Sequence, residues 1–161
     1  MKIAHDLYAE TNPAFGAYLL VSFVRGFVEV NPNGPELPVA YLALPLTISG
    51  DLHPSFDRTN RKTGLQEWLE RSPQIQVNLA ERLNSSMDFV AGAIRLGCFS
   101  HAVRLSEGAR LVVGTPGLKK DLTSGLSDDL TRSVRYADRL GYWSATAGST
   151  KTIYDTMGLT L

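Results

Sequence analysis

With one cysteine in 161 residues, the chain cannot close a disulfide on itself, and packing and hydrogen bonds must hold its fold. That residue, Cys98, stands beside Phe99 and reads as buried packing rather than as a reactive thiol. Histidine is scarce too: His5, His53 and His101 have no carboxylate or cysteine at ligand spacing, so no metal site is expected. An excess of either charge is missing, because sixteen Lys and Arg balance sixteen Asp and Glu. A formal net charge of zero argues against a free-standing DNA binder that relies on its overall field, although a local basic patch is compatible with it. The apolar stretch Ala14 to Val30 is interrupted by Arg25 and Glu29 and falls short of the roughly 20 residues of a spanning helix. The N-terminus lacks the apolar run of a signal peptide, which makes the cytoplasm the expected compartment, with no membrane contact.

Catalytic signatures are missing as well. There is no Gly-x-Ser-x-Gly elbow. Gly148-Ser-Thr-Lys-Thr ends like a phosphate loop, but Lys151 follows Thr150 instead of a glycine, and the second glycine is out of place. Ser149 or Thr150 is the better reading as the cap of a last helix in which Ile153, Tyr154 and Met157 pack and which Gly158 ends. Asp128-Asp129 suits the positive end of a helix that Ser127 opens. Asn84-Ser-Ser matches a glycosylation acceptor by pattern only, since a cytoplasmic chain would not meet the enzyme. A non-enzymatic protein without metal or cofactor is the expectation.

What the chain does have is ordinary globular material, 43% apolar and 20% charged, enough for one well-cored domain. The pattern predicts a mainly α fold with a small β-hairpin, in three segments of a single domain: N-terminal helices over residues 1–60, a winged-helix-like unit over residues 63–114 and C-terminal helices over residues 127–161. Asn12 and Pro13 mark a helix start, after which Phe15, Leu19, Phe23 and Phe27 recur every four residues along one apolar stripe. Gly16 and Gly26 would weaken that helix in isolation and so point to close packing against another. Asn31-Pro-Asn-Gly-Pro is a turn. Leu37 to Ile48, with Pro38 and Pro45, fits a kinked buried helix slightly better than a strand. Gly50 to Asn60 reads as a polar loop with Arg58, Arg61 and Lys62 at its end. Thr63 to Glu70 restarts helix behind a Thr63 cap, with Leu65, Trp68 and Leu69 on one face, and Thr115 to Lys120 reads as a linker.

From about Gln74 to Gly114 the order is helix, helix, hairpin, that of a winged helix-turn-helix. Ser72-Pro73 caps a helix in which Ile75, Leu79 and Leu83 recur, and a second helix runs from Met87 to Leu96 and stops at Gly97. A Glu107-Gly108 turn then joins two alternating arms, with Val103 and Leu105 inward on one and Leu111 and Val113 inward on the other. Arg104 and Arg110 come from opposite arms and are the candidate DNA contacts. Asp88 and Arg95 are the charged groups of the second helix, which offers little polar surface for reading base edges and favours protein docking. Arg132, Arg135 and Arg139, at i, i+3 and i+7, share a helix face that could grip phosphates or an acidic partner, or simply be solvated.

Five stretches occur together in order: Asn12-Pro-Ala-Phe-Gly-Ala-Tyr-Leu-Leu, Leu-Pro-x-x-Tyr-Leu-Ala-Leu-Pro-Leu from Leu37, Leu65 to Leu69, Arg139-Leu-Gly-Tyr-Trp, and Ala147-Gly-Ser-x-x-Thr-Ile-Tyr-x-x-x-Gly. In this the chain resembles the middle component of bacterial three-component ABC systems, related to Lamassu and associated with defence against phages and plasmids. The resemblance implies a small non-enzymatic adaptor with a winged-helix-like element, joined to an SMC/Rad50-like ABC ATPase and an effector subunit, with at most an indirect or weak DNA contact. It transfers Leu140-Gly-Tyr-Trp, Gly148-Ser149 and Thr152 to Tyr154. With the three arginines this makes Arg132, Arg135, Arg139, Tyr142, Trp143, Ser149, Thr152 and Tyr154 the candidate partner-binding residues. Tyr142, Trp143, Ile153 and Tyr154 suit packing anchors equally well. The alternative is a stand-alone winged-helix DNA-binding regulator.

Overall fold

The computed structural model describes residues 12–114 and 125–161, which form six α-helices and one two-stranded hairpin. His5 and the expected linker Thr115 to Lys120 lie outside the described residues. Among those described, no helix is long and apolar enough to cross a membrane.

Helix α1 (Pro13–Val28) is the axis of the fold. Its start follows from local chemistry: extended Asn12 accepts the Ala14 N–H at 3.0 Å, and Pro13 occupies a position where no N–H is needed. Helix α5 (Asp128–Ala147) crosses it at backbone distance. A Cβ on Gly26 would lie 2.0 Å from the Asp138 carbonyl oxygen, and one on Gly141 would lie 2.0 Å from that of Phe23. Ser22, buried in the same crossing, donates to the Val134 carbonyl at 2.6 Å. The close packing expected at Gly16 and Gly26 is therefore present, with Gly16 directed at Ala93 of a different helix.

Helix α2 (Leu37–Thr47) is buried over most of its length and carries Pro45 inside it, as expected for this apolar run. The expected polar loop at Gly50 to Asn60 is instead partly a 3₁₀ helix, Gly50–Phe56, that buries Leu52, Ser55 and Phe56. Its proline and glycine disguised the spacing that aims these side chains inward. Phe56 stacks on Tyr136 with centroids 4.3 Å apart and lies 4.9 Å from the Trp68 ring, which comes from α3 (Gly64–Arg71). Thr63 precedes α3 but does not cap it: its hydroxyl accepts the Asn60 N–H at 3.0 Å.

The two helices expected between Gln74 and Leu96 are one. A 3₁₀ turn, Pro73–Gln76, and left-handed Asn78 lead into α4 (Leu79–Phe99), 21 residues without interruption. Asn84-Ser-Ser lies inside this helix, where Ser85 and Ser86 donate back to the Glu81 and Leu83 carbonyls at 2.8 and 3.0 Å and so satisfy their hydroxyls locally. Gly97 is not the helix end. It is buried where a Cβ would approach Val103 to 2.9 Å, and the left-handed turn comes later, at His101. The buried side of α4, including Val90, Ala93 and Ile94, packs on α1 and α2.

Strands β1 (Val103–Ser106) and β2 (Arg110–Val113) pair antiparallel, Val103 with Val113 and Leu105 with Leu111. The turn between them places both Gly108 and Ala109 at positive φ. Backbone bonds from Leu111 N–H to Pro35 O (2.8 Å) and from Leu37 N–H to Ala109 O (3.1 Å) seat β2 on the α1–α2 connection. Val103 and Leu111 are buried as expected, but Leu105 is 48% exposed, because β1 is the open edge of the pair. Helix α6 (Thr150–Met157) starts at Ser149, whose hydroxyl accepts the Thr152 N–H at 3.2 Å, and ends at left-handed Gly158.

Candidate interaction surfaces

The candidate arginines separate into two kinds. Arg110 reaches back to the Gly34 carbonyl at 2.8 Å and to the Glu36 carboxylate at 2.9 Å, so its charge clamps the hairpin to the turn before α2. Arg104 is exposed on the open strand. On α5, Arg132 and Arg135 are exposed, and Arg132 lies 3.6 Å from Asp129 one turn earlier. Arg139 turns inward, donating to Thr59 Oγ1 at 2.8 Å and to Phe56 O at 3.4 Å. Burial lowers its affinity for a proton. The expected row of three is thus an exposed pair followed by a structural residue.

Tyr142 and Trp143 face different tasks. Trp143 is fully buried and donates to Asn60 O at 3.0 Å, with its ring 5.5 Å from Trp68 and 6.0 Å from Phe56. Tyr142 is half-buried beneath the Arg61 guanidinium, 4.8 Å from its ring centroid. Arg61 also pairs with Glu29 and, at 3.0 Å, with Asp138. Hydrogen bonds to those two carboxylates push its pKa up. A loop cation thereby fastens the end of α1 to α5. The sequence marked Arg61 only as one basic residue among several.

At α6, Ser149 and Thr152 are exposed and occupied with capping, their hydroxyls 2.9 Å apart. Tyr154 is half-buried and donates to the Pro38 carbonyl at 2.6 Å; burial raises its pKa. It borders a groove of about 350 Å³ formed with Pro38 and Tyr41 of α2, Leu83 and Met87 of α4, and Leu159 after α6. Met87 is 50% exposed at its rim. Among the described residues its polar lining is limited to Asn84, Thr160 and the tyrosines Tyr41 and Tyr154. An apolar groove bordered by a flexible methionine suits an apolar segment of another protein.

A second cleft, of about 310 Å³, gathers His53, Asp57, Asp129, Arg132, Ser133 and Tyr136. Here His53 Nε2 lies 2.9 Å from the Thr47 carbonyl and 3.1 Å from Ser133 Oγ. A carbonyl can only accept, so Nε2 carries the proton and cannot draw one from Ser133. Ser133 is itself buried. This arrangement is not a nucleophile and base pair. Among the described residues, no group of three or more His, Cys, Asp or Glu is placed to hold a metal ion.

Met87 and Phe99 are exposed apolar side chains that the sequence pattern did not reveal, and Phe99 is 85% exposed. Ending the helix at Leu96 hid Phe99, whereas a helix continued past Gly97 would have set it one turn beyond the polar Arg95. Cys98 is half-buried, and burial raises its thiol pKa, in keeping with a packing role.

One family model, described as ABC-three component (ABC-3C) system Middle Component 3, matches residues 1–161. No curated protein and no solved structure matches.

Proposed function

The chain belongs to the Middle Component 3 family of ABC-three component systems, and from that membership we propose that it is a non-enzymatic adaptor. In this reading it links an SMC/Rad50-like ABC ATPase to an effector subunit in a bacterial defence complex. The observation that carries the proposal is the extent of the family match, which runs over residues 1–161. The apolar groove beside Tyr154 supports it, because a surface of this kind rewards an apolar partner segment and offers little to a charged one.

Because the two helices expected between Gln74 and Leu96 are one, a winged-helix-like order over residues 63–114 would have to take α3 as its first helix and α4 as its second. We read this winged-helix-like unit as a docking fold. The outward charges of α4 include Glu81, Asp88 and Arg95, a mixture poorly suited to a phosphate backbone. Of the two hairpin arginines, Arg104 is the one left open for a DNA contact, since Arg110 is held by Glu36. An electrophoretic titration of the purified chain with duplex DNA separates the adaptor from a stand-alone regulator. The adaptor reading predicts weak binding that disappears with added salt, while nanomolar, sequence-selective binding without a partner would contradict it.

A further inference from the structure

The outward side of α4 carries a second pattern, independent of the groove. Glu81, Ser85, Asp88, Gly92, Arg95 and Phe99 are spaced alternately by four and three, so they form one straight seam along the helix. All but Gly92 are exposed. Gly92 is the pivot: a Cβ there would meet nothing within 4 Å among the described residues, none of which requires a glycine in mid-helix. To one side of it lie an acid and then a small residue, Asp88 and Ser85. To the other lie a base and then a large aromatic, Arg95 and Phe99. Asp88 and Arg95 sit two turns apart, and neither takes part in an ion pair among the described residues.

We infer that this seam is a self-complementary interface, and that its occupant is α4 of a second copy of the chain, antiparallel about a two-fold axis at Gly92. Reversal of direction matches the pattern from Ser85 to Phe99 to itself. Each Asp88 meets Arg95 of the second copy, each Phe99 lies over Ser85 of the second copy, and the two helices approach most closely where neither has a side chain. Every contact occurs twice, as a two-fold interface demands. A parallel copy would set Asp88 beside Asp88 and Phe99 beside Phe99, which satisfies neither charge nor shape. About an axis at Gly92 the paired stretch runs from residue 85 to 99, about 21 Å at 1.5 Å per residue, and Glu81 lies beyond it. One helix pair of that length buries less than the ~800 Å² per partner of a standard interface, so a micromolar dimer is expected. Leu83 and Met87 lie off the seam, which leaves the apolar groove open on each copy.

Sedimentation velocity on the purified full chain, from about 1 to 300 µM, tests the inference. The expected result is a monomer–dimer equilibrium that Asp88→Arg or Arg95→Asp each weakens by at least about tenfold, and that the double reversal restores. Gly92→Leu should weaken it comparably while circular dichroism and thermal midpoint show the fold intact. A monomer throughout the range would overturn the proposal. So would a dimer indifferent to the single reversals, or one that the double reversal fails to restore.

Discussion

Trp143 and Tyr154 show how aromatic residues can serve different ends. Trp143 is a core residue whose indole N–H is satisfied by Asn60 O, so its loss should act through the fold. Trp143→Ala should cost about 3–5 kcal/mol, as removal of a buried tryptophan does, measured by urea unfolding at neutral pH. Tyr154 combines a bond to the Pro38 carbonyl with a place on the groove. Tyr154→Phe should cost about 1 kcal/mol at neutral pH, one net hydrogen bond. Its pH dependence has a definite sign. Burial raises the folded-state pKa above the ordinary value of 10.0, so the unfolded chain ionises first. The stability tied to the neutral phenol is full below about pH 10 and is lost as pH rises through the raised value. The wild type should therefore lose more stability than Tyr154→Phe between neutral pH and strongly alkaline pH, which paired urea titrations would detect.

At the scale of the element, the glycines divide by what surrounds them. Gly26→Ala and Gly141→Ala each drive a methyl into a backbone carbonyl across the α1–α5 crossing, so each should destabilise by more than the ~1–3 kcal/mol of ordinary overpacking. Gly92→Ala meets only open space and should stabilise the monomer by about 0.5–1 kcal/mol through helix propensity. Thermal unfolding of the three variants checks both signs. The same elements mark what the sequence makes legible. The caps at Asn12, Ser127 and Ser149 depend on neighbours two or three residues away, and the sequence reads them correctly. The break expected between Leu83 and Met87 is absent: Ser85 and Ser86 sit within the helix with their hydroxyls satisfied by its own carbonyls, a local arrangement that composition does not reveal. The inward turn of Phe56 was hidden in a segment rich in Gly, Pro and charge, and its partners, Trp68, Tyr136 and Trp143, come from distant stretches of the chain. Among the candidate site residues, the i, i+3, i+7 spacing places three arginines on α5. Only contact with Phe56 and Thr59 separates Arg139 from the two exposed ones.

For the whole molecule, two features bear on function together: a Middle Component 3 match over residues 1–161, and an apolar groove assembled by α2, α4 and the end of the chain. Zero net charge leaves no broad electrostatic field to steer the protein to DNA. What its surface does offer is the apolar groove beside Tyr154. The most direct test is co-expression of the tagged chain with the other two components of its own three-component system, followed by affinity capture, for the wild type and for Met87→Asp. The adaptor account predicts that both other components are recovered with the wild type, and that Met87→Asp, folded by circular dichroism, loses at least one of them. Recovery of the wild-type chain without either component would contradict it.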